Sequence, residues 1–205
     1  EGRETGKRGQ YMAAQYIANY YSEAGIKPYK DTSYFQQFPL NLIKLGDVKI
    51  NINGRLYKKN EDYYFFPGLS EQIIQADEII NLQYGIEEEK FSDYKGLDVK
   101  DKVVMVGNDE PMSADSNYII TGNKNRTAWS NGYRHKAEKA KEKGAKLLFI
   151  IMDDIPSQVK RNKDRMESTS LKLETNKTEM PVVFVSREVA AALTKKKKKR
   201  AGTNT

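Results

Sequence analysis

The chain has 205 residues, of which 38% are hydrophobic and 31% charged, and its formal net charge is +7. It contains no cysteine, which excludes disulfides and thiolate metal sites. The longest apolar run, Leu147–Met152, is far shorter than the roughly 18 residues needed to span a bilayer, so no membrane contact is expected.

The N-terminal part predicts a helix over residues 10–24. Apolar side chains recur there at intervals of three and four residues, Gly25 is placed to end the helix, and Pro28 follows. The apolar stripe is wide and aromatic, so the helix is expected to bury a face against other protein. No apolar leader precedes it, and we expect the chain to be a mature or truncated piece.

Residues 34–83 predict strands. Residues 34–40 are rich in aromatic side chains, and residues 48–52 alternate apolar and polar side chains as half-buried strands do. Asn53-Gly54 predicts a tight hairpin turn before a return strand at residues 55–57, because both residues tolerate a positive φ. A further strand is predicted at residues 78–84.

The following part predicts an alternation of loops, strands and helices. Residues 86–102 and 107–130 are polar and are expected to form loops, with a short strand at residues 103–106 between them. Residues 134–143 predict a helix, and residues 146–152 a buried strand. Residues 153–180 are expected to form a long polar excursion with one strand at residues 170–174.

The C-terminal part predicts a strand at residues 182–185 and a short helix capped by Ser186. Six consecutive basic residues follow, Lys195–Arg200. Subtracting them from +7 leaves about +1, so the basic character resides in the tail. This run is typical of a solvated terminus, and a nuclear-localisation or nucleic-acid role is the alternative.

The histidine count argues against a catalytic zinc site in this chain. Such a site usually takes three protein ligands, often histidines, and His135 is the single histidine. The carboxylates Asp93, Asp98, Asp101, Asp109 and Glu110 do not match the spacing of a calcium loop. They are interpreted as a solvated acidic region, with a bound cation as the alternative. No serine-nucleophile motif occurs.

Several segments in a fixed order resemble secreted zinc aminopeptidases of the transferrin-receptor-like and glutamate-carboxypeptidase-like family, which carry an inserted protease-associated (PA) domain. The resemblance extends from residue 2 to about residue 193. Its segments are Gly2-Arg3-Glu4-Thr5-Gly6-Lys7-Arg8-Gly9, Tyr34-Phe35-Gln36-Gln37-Phe38, Tyr84-Gly85-Ile86, the run from Asp93-Tyr94-Lys95-Gly96 to Val104, Lys143-Gly144-Ala145 and Pro181–Ser186.

The resemblance implies an α+β fold: a PA-type domain with a mixed β-sheet or open barrel flanked by short helices, preceded by an N-terminal helix of the peptidase α/β domain. The expected domains are residues 1–33 (helical segment of the peptidase), 34–194 (PA domain) and 195–205 (basic, flexible tail). The family's metal ligands and general base lie after the insert, so no catalytic, cofactor-binding or metal-binding residue is assigned here, and zinc is expected in the missing catalytic domain.

Two functions of different class remain open. The first is an accessory PA region of a zinc aminopeptidase that is non-catalytic by itself, extracytoplasmic and bacterial, and that borders the substrate cleft or mediates protein interaction. Its expected partners are the catalytic domain, a peptide or protein substrate, and a second copy of the chain bound through the N-terminal helix. The second is a free-standing interaction domain whose basic tail contacts an anionic partner; a nucleic-acid partner is not expected.

Overall fold

The structure is a computed structural model that describes residues 2, 4–29, 32–69, 71–173 and 179–195. It divides into two compact units. The first comprises Glu1–Asn41 and Lys172–Glu174, and the second comprises Leu42–Leu171 and Thr175–Thr205. The predicted boundary between residues 33 and 34 stays a prediction.

The described residues form five helices and eleven strands. The helices are α1 (Arg8–Glu23), α2 (Arg134–Glu142), α3 (Ile155–Arg161), α4 (Lys163–Glu167) and α5 (Arg187–Thr194). The strands are β1 (Leu40–Ile43), β2 (Asn51–Ile52), β3 (Arg55–Leu56), β4 (Tyr63–Phe65), β5 (Ile79–Asn81), β6 (Glu87–Glu88), β7 (Phe91–Ser92), β8 (Val103–Gly107), β9 (Leu147–Met152), β10 (Ser170–Leu173) and β11 (Val182–Ser186).

Helix α1 confirms the predicted N-terminal helix. Gly25 follows it with a φ of +70°. The N–H of Gly25 bonds the carbonyl of Ser22 and that of Ile26 bonds the carbonyl of Tyr21, as in a Schellman motif. The predicted strand at residues 34–40 is wrong, because β1 begins only at Leu40. Pro39 has no N–H to give to a ladder, and the N–H of Phe35 bonds the Ser33 hydroxyl instead.

The second unit is built on a five-stranded mixed sheet in the order β4-β11-β9-β8-β5. Strands β5, β8, β9 and β11 are parallel, and β4 is antiparallel to β11. The predicted strands at residues 103–106, 146–152 and 182–185 are confirmed, and the one at residues 78–84 is shortened to β5. The remaining strands pair as β1 with β10, β2 with β3, and β6 with β7. The expected open barrel stays a prediction.

Alternate side chains of the sheet enter two hydrophobic cores. One face carries Val104, Leu148 and Phe184 and packs with residues of α2, α3 and α4. The other carries Val103, Phe149 and Val183 and packs with Ile50, Tyr57 and residues of α5. Helix α5 begins as predicted, since the Ser186 hydroxyl accepts the N–H of Val189 at 3.3 Å.

Two predicted loops contain regular structure. Helices α3 and α4 occupy the polar excursion after Asp153; α3 begins where the Asp154 carboxylate accepts the N–H of Ser157 at 3.0 Å, with Pro156 in its first turn. The acidic segment at residues 86–102 contains the short hairpin of β6 and β7. No helix in the described part of the chain has the length and apolar character needed to cross a membrane.

Candidate functional site

A groove of about 1460 Å³ lies on one face of the central sheet. Its floor includes Val103, Leu147, Phe149 and Val183. Val103 and Leu147 are the first residues of β8 and β9, and Val183 is the second of β11. The floor therefore lies at the N-terminal ends of three parallel strands and is entirely apolar.

The first wall of the groove is residues 46–53, whose main-chain carbonyls are held by neighbouring side chains and main chain. The Tyr63 hydroxyl donates to the Val48 carbonyl at 2.6 Å, and the N–H of Tyr57 donates to the Ile50 carbonyl at 3.0 Å. The hairpin of β2 and β3 ends this wall. Its two-residue turn has φ values of +54° and +89° at Asn53 and Gly54, as predicted.

The second wall includes residues 71–77, an irregular segment that leads into β5. Lys146 holds it by donating from Nζ to the Gln75 carbonyl at 2.9 Å. Ile74 and Ile79 pack against the apolar core of this face, whereas Ile73 is 91% exposed at the rim. This wall therefore presents apolar side chains both inward and to solvent.

Helix α5 contributes the end of the groove. Ala192 and Leu193 line it, and Lys195 follows at the rim. The helix is joined to the hairpin of the first wall, because Glu188 forms an ion pair with Arg55 at 2.8 Å. Both side chains are exposed, so the pair positions the hairpin more than it stabilises the fold.

The segment that follows the C-terminal end of β8 folds around a buried carboxylate. Between β8 and α2, residues 108–133 contain no described helix or strand. Glu110 is 2% exposed, and its Oε1 accepts hydrogen bonds from the N–H of Thr127, the N–H of Ser130 and the Ser130 hydroxyl at 2.8, 3.2 and 2.6 Å. Burial opposes ionisation, but these bonds hold the pKa of Glu110 below its usual value.

A buried lysine anchors the same segment to α2. Lys136 is fully buried, and its Nζ donates to the carbonyls of Gly107 and Asp109, both at 2.7 Å. Burial lowers the pKa of Lys136 to about 8, although the carboxylates of Asp109, Glu110 and Asp93 act against the shift. Residues 108–133 are thus a tightly bonded segment after β8.

Two of the carboxylates that were weighed as a cation site, Asp93 and Asp98, accept hydrogen bonds from the main chain. The half-buried Asp93 accepts the N–H groups of Tyr84 and Ile86, both at 3.1 Å, and burial raises its pKa. Asp98 accepts the N–H of Lys100. The described residues contain no group of three or more His, Asp or Glu side chains that could hold a metal.

His135 lies on α2 at the start of the helix, as expected. Its Nδ1 is 3.9 Å from Glu138 Oε2, and its ring packs beside Trp129. The surroundings of His135 supply one histidine and one carboxylate, and a catalytic zinc ion usually takes three protein ligands, so they do not fit such an ion.

Most of the basic tail falls outside the described residues. Lys195 is described, but Lys196–Arg200 are not. The groove and Lys136 were not singled out from the sequence as a site. Glu110 was weighed only as part of a solvated acidic region, and for this residue the expectation of solvent exposure is wrong, because it is 2% exposed. A buried Glu or Lys gives no signal in a polar stretch, and the groove joins segments that are far apart in the chain.

Comparison with known families identifies one match. The PA domain family matches residues 71–193, more than half of the chain. The match includes the floor, the second wall and all of α5 except Thr194, whereas the first wall lies before it. Searches of curated proteins and of solved structures gave no significant match.

Proposed function

The chain belongs to the PA domain family, and we propose that it is the accessory PA region of a secreted bacterial zinc aminopeptidase. In this role it borders the substrate cleft or mediates protein interaction, and it is non-catalytic by itself. The family match at residues 71–193 is the observation that carries the accessory PA role. The zinc and its ligands belong to the catalytic domain of the parent enzyme.

The order of motifs supports the choice of parent. The Gly2–Gly9 opening and the Tyr34–Phe38 segment precede the matched region and resemble the start of the peptidase domain in these enzymes. The proposal therefore assigns residues 1–33 to the peptidase domain, residues 34–194 to the PA domain and residues 195–205 to a basic tail.

The surface of α1 is consistent with a helix that belongs to a larger domain. Its 14 residues from Gly9 to Ser22 include no charged side chain, and Ala18 alone is buried. Large apolar side chains are exposed around it: Tyr11, Met12, Tyr16, Ile17, Tyr20 and Tyr21. Such a helix is expected to be covered by other protein. We propose the catalytic domain as that partner, with a second copy of the chain as the alternative.

The native polypeptide provides the test of this function. An antibody raised against residues 71–193 would be used to purify it from its cells, and zinc content and hydrolysis of aminoacyl chromogenic amides would be measured. The proposal expects an extracytoplasmic polypeptide with bound zinc and aminopeptidase activity. A native polypeptide that is intracellular, or free of zinc and of activity, would contradict it.

A further inference from the structure

The chain contains two Asn-Gly pairs, Asn53-Gly54 and Asn131-Gly132. This dipeptide is chemically labile, because the main-chain nitrogen that follows an asparagine can attack the side-chain amide of that asparagine, and glycine has no Cβ to hinder the approach. The attack needs a nitrogen that can lose its proton to solvent and a main chain that can bring this nitrogen to Cγ. Both pairs have the same covalent structure, so their surroundings in the fold determine which of them reacts.

The pair Asn53-Gly54 is held in place by its hairpin. It forms the two-residue turn between β2 and β3, and the paired residues of these strands fix the turn on both sides. The N–H of Gly54 donates to Oδ1 of Asn51 at 2.9 Å. An attack by this nitrogen must first break that hydrogen bond and distort the turn, so the hairpin protects Asn53.

The pair Asn131-Gly132 has no such support. Both residues are exposed, and they lie in the irregular segment that precedes α2. The N–H of Asn131 bonds the carbonyl of Ala128 at 3.3 Å. The N–H of Gly132 and the side-chain amide of Asn131 form no hydrogen bond with any residue that the structure describes. The attacking nitrogen and the amide that it attacks are therefore both open to water.

The start of α2 provides an electrostatic environment that favours the reaction. The first N–H groups of a helix carry a partial positive charge, and α2 begins at Arg134 with no acidic residue in its first turn and no side-chain cap from Tyr133. This positive field stabilises the deprotonated nitrogen of Gly132 and the oxyanion that forms at the attacked amide. At the hairpin, the nearby Arg55 is instead neutralised by its ion pair with Glu188.

We propose that Asn131 is a site of spontaneous deamidation and isoaspartate formation, and that its hairpin protects Asn53 from the same reaction. The nitrogen of Gly132 loses its proton to hydroxide and bonds to Cγ of Asn131. The bond between Cγ and Nδ2 breaks, and ammonia leaves after it takes a proton from water. Water then adds to either carbonyl of the resulting cyclic imide and opens it to aspartate or isoaspartate. This inference does not rest on the proposed function.

The modification would occur next to the hydrogen bonds that hold the buried carboxylate. Ser130 directly precedes Asn131, and its N–H and hydroxyl both donate to Oε1 of Glu110. Each event replaces a neutral amide by a carboxylate and so lowers the formal net charge of +7 by one. Isoaspartate also adds a methylene group to the main chain directly after Ser130.

Peptide mapping of the full chain after incubation in mildly alkaline buffer tests the proposal. Trypsin releases Asn53 within residues 50–55 and Asn131 within residues 127–134. Mass spectrometry detects the exchange of NH2 for OH, and electron-transfer fragmentation distinguishes isoaspartate from aspartate. We expect Asn131 to convert at least about tenfold faster than Asn53, the rate factor that corresponds to one net hydrogen bond.

The same incubation in guanidinium chloride separates the effect of the fold from that of the local sequence. Both sites should then react at similar rates, because unfolding removes the protection of Asn53. Asn131→Gln should abolish conversion within residues 127–134, since a glutamine side chain would have to close a six-membered ring. Asn51→Ala removes the acceptor of the Gly54 N–H and should speed conversion at Asn53 while the rate at Asn131 stays unchanged.

Three results would overturn the proposal. One is conversion at Asn53 that is as fast as, or faster than, conversion at Asn131 in the folded chain. Another is the absence of conversion at Asn131 in the folded chain over a time in which the unfolded chain reacts fully. The third is a difference between the two sites that persists in guanidinium chloride, which would assign it to sequence alone. Because neither zinc nor catalysis is measured, failure here leaves the proposed accessory role standing.

Discussion

Gly85 lies in the turn after β5 with a φ of +66°, and a Cβ at this position would come within 2.5 Å of Cγ1 of Val106. Gly122 has a similar φ of +70° but nothing within 4 Å of that position. Both glycines therefore need the positive φ that favours glycine, but only Gly85 also lacks room for a Cβ atom. At Gly85 both apply, because the turn packs directly against β8.

We predict that Gly85→Ala lowers the free energy of unfolding by roughly 2–5 kcal/mol, the sum of a left-handed backbone penalty and overpacking against Val106. Gly122→Ala should cost only about 1–2 kcal/mol. Urea unfolding of both variants measures the difference. Equal effects would show that the contact with Val106 is relieved without cost.

Lys136 gives the stability a pH dependence whose sign is fixed by its lowered pKa of about 8. Between pH 8 and about 10 the unfolded chain binds more protons than the folded chain, so the free energy of unfolding rises with pH there. Below pH 8 both states are protonated and this contribution is constant. Above about pH 10 the buried Tyr64, whose pKa is raised to about 12, acts in the opposite direction.

We predict a gain of up to about 2 kcal/mol from Lys136 between pH 7.5 and pH 10. Urea unfolding across this range measures it. Lys136→Met should remove the rise, whereas Lys141→Met, an exposed position on the same helix, should retain it. A rise that persists in Lys136→Met would assign the pH dependence to another group.

At the scale of elements, α1 is the helix whose stability depends most on contacts with other protein. A free helix of 16 residues is marginal in water, and α1 has no acidic residue in its first turn and no basic residue in its last turn. Its stability is therefore expected to depend on covering protein.

We predict that deletion of residues 1–28 leaves a chain that unfolds cooperatively, because the five-stranded sheet and both of its cores belong to the second unit. Circular dichroism with denaturant and light scattering would be used. If the shortened chain no longer folds, the helix is integral to the PA domain and the predicted boundary is wrong. If a dimer becomes a monomer, α1 contacts a second copy.

The elements that were predicted correctly are specified by one or two neighbouring residues whose backbone or capping preference is strong. Asn53-Gly54 specifies the hairpin turn, Gly25 ends α1, and Ser186 caps α5. The element predicted wrongly at residues 34–40 has strand-like aromatic residues but is interrupted by Pro39. Helices α3 and α4 were missed because they are short and polar, although the Asp154 cap and Pro156 were available as a signal.

At the scale of the whole molecule, the groove could not be predicted because it joins residues 46–53, 71–77 and 192–195, which are distant in the chain. The PA domain could be predicted from the sequence because its motifs follow one another along the chain in the family's order. The burial of Glu110 and Lys136 could not be predicted either, since it depends on how residues 108–133 fold back onto α2.

The charge distribution predicts that anion binding belongs to the tail. Without Lys195–Arg200 the formal charge is about +1. Binding to duplex DNA should weaken by roughly 0.9 log unit per phosphate contact for each tenfold increase in salt, and deletion of residues 195–205 should abolish it. Anisotropy titrations at several salt concentrations provide the measurement. Binding retained after the deletion would reveal a basic surface on the folded part.

The proposed function is that this chain is the accessory PA part of a zinc aminopeptidase and does not itself hold the catalytic metal. Isothermal titration calorimetry of the 205-residue chain with Zn²⁺, combined with an aminoacyl amide hydrolysis assay, tests it most directly. The predicted result is weak, non-stoichiometric zinc binding and no hydrolysis above background. Stoichiometric binding at micromolar or tighter affinity that His135→Ala abolishes, or zinc-dependent hydrolysis, would contradict the claim.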